Sequence, residues 1–108
     1  MSDTKVRCII KRPDEPIGHV TNISVSLNNL QRIVQGYIEY VRISTDLYVI
    51  CNEEGLINDM PYNCSLGGHQ FFGDIIIIGA DPDNEESGVC DLPITFKEYK
   101  ETFFGGKA

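Results

Sequence analysis

Two adjacent carboxylates are the residues of this chain whose types and spacing come closest to a catalytic pattern. Glu53 and Glu54 lie between Asn52 and Gly55 in the sequence Asn-Glu-Glu-Gly. Two carboxyl groups can act as general acid and base, or can bind a divalent cation. Catalytic carboxylates usually face each other from separate elements, and no nucleophile with a histidine partner lies near this pair. We therefore predict a protein that is not an enzyme, with a carboxylate-based activity as the alternative.

The same four residues have the pattern of a tight turn. Asparagine at the first position and glycine at the fourth are typical of a type I turn. The Asn52 side chain can bond to its own backbone, and we expect Gly55 to take a positive φ that leads into the next strand. The turn explains Asn52 and Gly55, and it leaves the roles of Glu53 and Glu54 open.

Other residues match metal-binding patterns only in part. Asp81, Asp83 and Glu85 alternate as calcium ligands do, but the segment lacks the glycine and the final glutamate that a calcium loop requires. Structural zinc sites usually contain two close pairs of ligands, and the cysteines and histidines of this chain form none. We predict no metal ion and no cofactor. The cysteines are Cys8, Cys51, Cys64 and Cys90.

The charge of the chain is acidic and unevenly distributed. The formal net charge is −7, and residues 43–96 contain ten Asp or Glu but no Lys or Arg. Nucleic acids are bound through clustered Lys and Arg, so we expect no direct nucleic-acid binding. An acidic surface can keep a small protein in solution, or can meet a basic surface of another protein. The residues that we expect to form this surface are Asp46, Glu53, Glu54, Asp59, Asp81, Asp83, Glu85 and Glu86.

A second hypothesis gives the chain a small anionic ligand. The ligand would be a signalling nucleotide that is sequestered where copies of the chain meet, which implies a homo-oligomer. It needs positive groups, and the candidates are Lys5, Arg7, Lys11, Arg12, Arg32 and Arg42. The residues that we expect to bind such a ligand are Arg32, Arg42, Asn52, Tyr62 and Asn63.

The elements that must position these residues are organised around residues 37–55. This stretch is rich in Ile, Val, Tyr and Leu and predicts two strands joined at residues 44–46. Residues 71–80 contain four consecutive isoleucines and predict one strand, buried on both faces, near the centre of a sheet. Further strands are predicted over residues 6–11, 19–25 and 88–91.

Two helices are predicted, each with signals for its ends. Ser26 is a good N-cap for a helix over residues 27–35, and we expect Gly36 to take the left-handed conformation that ends it. The last helix is expected to begin near Pro93 and to run to Phe104, before a pair of glycines.

The remaining segments and the length of the chain complete the predicted architecture. Residues 56–63 are expected to be irregular or partly extended, and residues 65–69, with paired glycines, to form a loop. With 108 residues, the chain is expected to be a single domain over residues 1–108. The predicted fold class is α+β, a twisted, mostly antiparallel sheet of about five strands with two helices packed on it.

Several short motifs, in this order, resemble a known family. They are Gly-Tyr-Ile-Glu at residues 36–39, Cys-Asn-Glu-Glu-Gly at 51–55, Pro-Tyr-Asn at 61–63, Gly-Asp-Ile at 73–75 and Tyr-Lys-Glu at 99–101. The chain resembles, from about residue 25 to residue 104, a family of small proteins of unknown function from phages, plasmids and integrative elements of Gram-positive bacteria. The family often has an arginine where this chain has Cys64.

The resemblance implies a biological context. Small accessory proteins of mobile elements often antagonise host immunity, and the resemblance implies such a role here. We expect a non-catalytic acidic protein that occupies a basic, nucleic-acid-binding surface of a host defence protein, as anti-CRISPR and anti-restriction proteins do. No apolar run has the length of a membrane span, and we expect a cytoplasmic location in the host bacterium with no membrane partner.

Overall fold

The chain forms eight strands and two helices within residues 5–84 and 87–105, the part that the computed structural model describes. In chain order they are β1 Lys5–Lys11, β2 His19–Ser24, α1 Leu27–Val34, β3 Ile38–Ser44, β4 Leu47–Asn52, β5 Tyr62–Leu66, β6 His69–Phe72, β7 Ile75–Ala80, β8 Val89–Cys90 and α2 Phe96–Phe104. The main sheet has the order β2-β1-β7-β4-β3, and β8 also pairs with β7. The second sheet is the antiparallel β5–β6 pair. The predicted α+β fold class is confirmed.

The central strand of the main sheet is β7, as the isoleucine run predicts. It pairs antiparallel with β1 on one side and β4 on the other, with Ile77 opposite both Ile9 and Val49. The prediction of one continuous strand over residues 71–80 is wrong. Gly73 has a φ of 77°, and its amide donates to the carbonyl of Pro61, so the chain turns between β6 and β7.

The two faces of the main sheet are covered by different elements. Because side chains alternate along a strand, Ile76 and Ile78 of β7 pack on one face with α1, while Ile75 and Ile77 pack on the other. The second face is covered by the β5–β6 pair and by α2, which contribute Leu66, Phe71 and Tyr99. This three-layer arrangement explains why β7 is apolar at successive positions.

The first helix begins as predicted and ends differently. The Ser26 hydroxyl accepts a hydrogen bond from the Asn29 amide, at 3.3 Å, as an N-cap does. Gln35, with a φ of 65°, takes the left-handed position that we predicted for Gly36, so that prediction is wrong. Gly36 is needed for a different reason, since a Cβ there would lie 2.6 Å from Nδ2 of Asn52.

The last helix begins later than the position of Pro93 suggests. Its N-cap is Thr95, whose hydroxyl accepts from the Glu98 amide at 3.0 Å, while the Glu98 carboxylate accepts from the Thr95 amide at 2.8 Å. The helix ends at Phe104, as predicted, and Gly105 follows it in a left-handed conformation. Tyr99 is fully buried, and its hydroxyl donates to the carbonyl of Ile17. Neither helix of the described chain has the length and apolar character needed to cross a membrane.

The β5–β6 hairpin is the part of the fold that the sequence prediction missed. We predicted a loop over residues 65–69, but β5 and β6 are joined directly by Gly67 and Gly68. Both glycines have positive φ, 56° and 83°, which is the requirement of a two-residue type I′ turn. The paired glycines therefore mark the turn of a hairpin.

Candidate binding surfaces

The Asn-Glu-Glu-Gly motif forms the turn that ends β4. The Gly55 amide donates to the carbonyl of Asn52 at 3.2 Å, and the Glu54 amide donates to the Asn52 side-chain oxygen at 2.8 Å. The turn prediction is confirmed, but the predicted positive φ of Gly55 is wrong. Glycine suits the close packing here, since a Cβ would lie 3.2 Å from the Cβ and the carbonyl oxygen of Phe72.

The Asn52 side chain also connects this turn to the first helix. Its Nδ2 donates to the carbonyls of Val34 and Gln35, both at 3.1 Å. These are carbonyls of the last turn of α1, which have no partner within the helix. Asn52 is buried and makes structural contacts to the protein itself, although we predicted it as a ligand-binding residue.

Asn63, another residue predicted to bind an anion, belongs to a buried clamp. Its Oδ1 accepts from the ammonium of Lys11 at 2.7 Å, and its Nδ2 donates to the carbonyls of Lys11 and Gly73. Lys11 is itself only 2% exposed. The clamp holds β5 against the end of β1. Because Asn63 and Lys11 are buried in it, neither side chain is available at the surface to bind a ligand.

The structure does not bring together the five residues predicted for an anionic ligand. Arg42 on β3 donates to the carbonyls of Ser44 and Thr45 and lies 5.9 Å from the centre of the Tyr48 ring. Tyr62 on β5 is exposed and packs edge-on against Phe72. The five residues lie on four elements, and two of them line grooves on opposite faces of the sheet, Arg32 in one and Asn52 in the other.

The predicted acidic surface is divided into two groups at opposite ends of β4. Asp46 lies in the turn before β4, where its carbonyl accepts from the Ala80 amide, so the start of β4 adjoins the end of β7. Burial raises the pKa of the Cys90 thiol, and the nearby charges of Asp81, Asp91 and Asp46 raise it further. We call Asp46, Asp81 and Asp91 the Asp46 cluster, together with Asp83, whose amide donates to the Asp81 carboxylate. Glu85 and Glu86 lie outside the described residues.

The second acidic group belongs to the β4–β5 loop, residues 53–61. Glu53, Glu54 and Asp59 are all exposed there, and the six residues of β4 separate them from the Asp46 cluster by about 20 Å. The loop is a series of turns, not an extended segment, with the Asn58 amide bonded to the carbonyl of Glu54.

Two aliphatic side chains of this loop point into solvent. Leu56 is 67% exposed and Ile57 is 78% exposed, which is the largest value for a large hydrophobic side chain in the described chain. Sequence reasoning missed them as surface residues. A signal was present, because the pair lies between turn-forming residues and has no alternating apolar pattern around it.

A groove of about 270 Å³ lies beside the loop, on the face of the sheet that carries the β5–β6 hairpin. We call it the acidic groove; none of its described lining residues is Lys or Arg. Burial raises the pKa of the Cys51 thiol to about 11, and the charge of Glu39 contributes, so the Glu39 carboxylate lies near Cys51. The lining includes Glu39, Val41, Cys51, Glu53, Leu56 and Phe72.

A second groove, of about 450 Å³, lies on the opposite face, between α1 and the β1–β2 pair. We call it the basic groove, because Lys5 and Arg32 line it and none of its described lining residues is Asp or Glu. The remaining lining residues are Ile10, Asn22, Ile23, Ser24, Ser26, Asn29 and Ile33. Lys5 and Arg32 are distant in sequence, and the β1–β2–α1 fold brings them to one groove.

The fold and these grooves define an α+β protein with one acidic and one basic groove, on opposite faces of its main sheet. Among the described residues, no three His, Cys, Asp or Glu side chains are grouped so that they could hold a metal ion. The chain belongs to the family described as a domain of unknown function, DUF3846, whose model matches residues 6–103. No curated protein and no solved structure matches the chain. The family membership agrees with the resemblance to a family of unknown function and assigns no activity.

Proposed function

We propose that this protein is a non-catalytic binding protein that docks on a basic surface of another protein through its β4–β5 loop and its acidic groove. The observation that carries the proposal is the exposed pair Leu56 and Ile57, which lies among the acidic residues Glu53, Glu54 and Asp59.

The combination of apolar and acidic side chains in the loop is typical of a protein interface. Exposed aliphatic side chains add nothing to the core of this chain, but they can be buried against a partner. Acidic residues around them steer a basic partner and select against acidic ones. Tyr37 extends the surface, since it is exposed and its carbonyl accepts from the Glu53 amide.

The acidic groove can accept a basic side chain of the partner. Val41 and Phe72 offer apolar contact to the methylene groups of a Lys or Arg, while Glu39 and Glu53 can receive its charged end. The groove and the loop share Glu53 and Leu56, so one partner surface would cover both.

We further propose that the partner surface normally binds nucleic acid. Such surfaces are rich in Lys and Arg, and residues 43–96 of this chain carry ten acids without a Lys or Arg. The resemblance to proteins of mobile elements motivates the biological role, a phage or mobile-element protein that inhibits a host defence protein in the bacterial cytoplasm. The sponge for a signalling nucleotide stays a prediction, and its predicted residues lie on four separate elements.

Two variants with the same change of charge test the docking surface. The loop variant Glu53→Gln/Glu54→Gln/Asp59→Asn and the control variant Asp46→Asn/Asp81→Asn/Asp83→Asn each remove three negative charges. Partners are captured from host lysate with the wild-type chain, and the affinity of each variant for a purified captured protein is then measured. We expect the loop variant to bind at least about tenfold more weakly, and the control variant to bind within about twofold of wild type.

The salt and competitor dependence of the same binding reaction tests the basic partner. Affinity should fall steeply with added salt, and the partner's own DNA or RNA should displace the chain. Equal losses in the two charge variants would show that only net charge matters. Unchanged affinity in a Leu56→Ser/Ile57→Ser variant would refute the loop as the docking surface.

A further inference from the structure

We propose that the basic groove is a binding site for a mononucleotide or a phosphate ester of similar size. The site lies on the face of the sheet opposite the acidic groove. It is therefore independent of the proposed docking surface.

The environments of the Lys and Arg side chains indicate that this groove, and not another surface, would bind an anion. Other candidate cations of the chain are engaged with the protein itself: Arg7 donates to the carbonyl of Leu92, Lys11 is buried against Asn63, and Arg42 donates to the carbonyl of Thr45. Arg12 lies 3.9 Å from the carboxylate of Asp74. Arg32 also donates to the side chain of Asn29, but it and Lys5 line one groove together, and no described Asp or Glu lines it with them.

The position of Arg32 is fixed by its neighbours. Its guanidinium donates to the side-chain oxygen of Asn29, and Nδ2 of Asn29 donates to the carbonyl of Ser24 at 2.7 Å. This chain of hydrogen bonds ties the guanidinium to the β2–α1 junction, which lowers the entropy lost when a ligand binds. The N-terminal end of α1 opens at Ser26 on the same groove and adds a favourable potential for an anion.

The shape and composition of the groove indicate a ligand larger than a bare phosphate. Ile10, Ile23 and Ile33 give it an apolar wall, which a base or another apolar group can contact. Polar residues, Asn22, Ser24 and Ser26, complete the lining. A volume of about 450 Å³ is within the range of sites for small molecules.

Binding of AMP, adenosine and inorganic phosphate to the full chain tests this proposal, by calorimetry at low salt. We expect AMP to bind at least about tenfold more tightly than either of the other probes, because it alone offers both the phosphate and the apolar body. Equal binding of AMP and adenosine, or of AMP and phosphate, would overturn the assignment, as would no binding of AMP.

Charge-matched variants locate the site. Lys5→Gln/Arg32→Gln removes both cations of the groove, and Arg42→Gln/Lys97→Gln removes two exposed cations elsewhere. The groove variant should bind AMP at least about tenfold more weakly, with the control within about twofold of wild type. Equal weakening in both would show non-specific attraction and overturn the site. Circular dichroism confirms that each variant folds, and the groove variant should keep its affinity for the protein partner.

Discussion

The acidic groove and the basic groove have the same general construction and opposite charge. Each combines an apolar wall with two charged side chains, Glu39 and Glu53 in one case and Lys5 and Arg32 in the other. They lie on opposite faces of the same sheet. The difference shows that one sheet can carry a groove of each charge, one on either face.

The two grooves also differ in how their walls are held. The basic groove is formed by β1, β2 and α1, which follow one another in the chain. The acidic groove depends on the β5–β6 hairpin, which the Asn63–Lys11 clamp fastens to the end of β1. Asn52 is the link between the regions, because it bonds both to the last turn of α1 and to the β4–β5 loop.

The largest effect is expected from breaking the clamp. Asn63→Ala would leave the buried Lys11 ammonium and the carbonyls of Lys11 and Gly73 without their amide partner. We expect the free energy of unfolding to fall by about 3 kcal/mol. Urea denaturation measures this change. Hydrogen exchange should increase in β5–β6 more than in α1, and an equal increase in both would contradict the assigned difference between the grooves.

Asn28→Ala is the matched control for the clamp variant. Asn28 lies on the exposed side of α1, so its loss should change the free energy of unfolding by less than about 0.5 kcal/mol.

Replacing Asn52, which links α1 to the β4–β5 loop, should have the next largest effect on the free energy of unfolding. Asn52→Ala removes two donated hydrogen bonds to α1 and one accepted from the Glu54 amide, and we expect a loss of about 2 kcal/mol. Asn52→Asp keeps the acceptor but not the donors. It should therefore retain the turn while loosening the end of α1, as measured by hydrogen exchange at residues 34–36. Equal protection at the end of α1 in Asn52→Asp and wild type would show that the donors do not matter.

Loss of the N-cap of α2 should have a smaller effect on the free energy of unfolding. The effect should be confined to the face of the sheet that carries the acidic groove. Thr95→Ala removes the hydroxyl that accepts from the Glu98 amide, and we expect a loss of about 1 kcal/mol in thermal or urea unfolding. Thr102→Ala, on the exposed side of the same helix, should be close to neutral. A loss as large in Thr102→Ala would mean that the capping box contributes nothing specific.

The smallest expected effect is a change in the pKa of one thiol of the acidic groove, Cys51, when the charge of Glu39 is removed. Burial raises the pKa of Cys51 to about 11, with Glu39 contributing, and burial alone raises that of Cys8 to about 12, from an ordinary value of 9.0. Because both values are raised in the folded state, the thiols contribute fully to stability below pH 9. This contribution is lost as the pH rises towards 11 and 12.

The Glu39→Gln variant measures how much the charge of Glu39 contributes to the raised pKa of Cys51. It should lower the pKa of Cys51 and leave that of Cys8 unchanged, as followed by the Cβ chemical shifts of the cysteines through an alkaline titration. Glu101→Gln on α2 removes the same charge at a distance and should change neither. A shift of both thiols in Glu39→Gln would show a general field effect in place of a local one.

The parts of the fold that the sequence predicted are those set by local patterns. The β3–β4 hairpin, the N-cap at Ser26 and the central position of β7 follow from alternation, capping chemistry and apolar runs. The β5–β6 hairpin was missed because Gly67 and Gly68 are equally compatible with a loop and with a type I′ turn. Pro93 was misleading because Thr95 and Glu98 provide the stronger start signal.

The candidate surfaces were harder to predict than the fold, because they depend on distant contacts. The sequence identified Glu53, Glu54 and Asp59 as acidic surface residues, but it did not show that β4 separates them from Asp46. The burial of Asn63 could not be predicted, since its partner Lys11 is 52 positions away. The pairing of Lys5 with Arg32 in one groove likewise depends on the tertiary fold.

The central claim is that the two faces of the sheet bind partners of opposite charge. Its most direct test is a map of backbone amide chemical shifts by NMR, recorded on one sample with AMP and on another with an arginine-rich peptide. The account predicts that AMP perturbs residues 22–33, and that the peptide perturbs residue 39, residues 53–57 and residues 69–72. Perturbation of the same residues by both probes, or of neither groove, would contradict it.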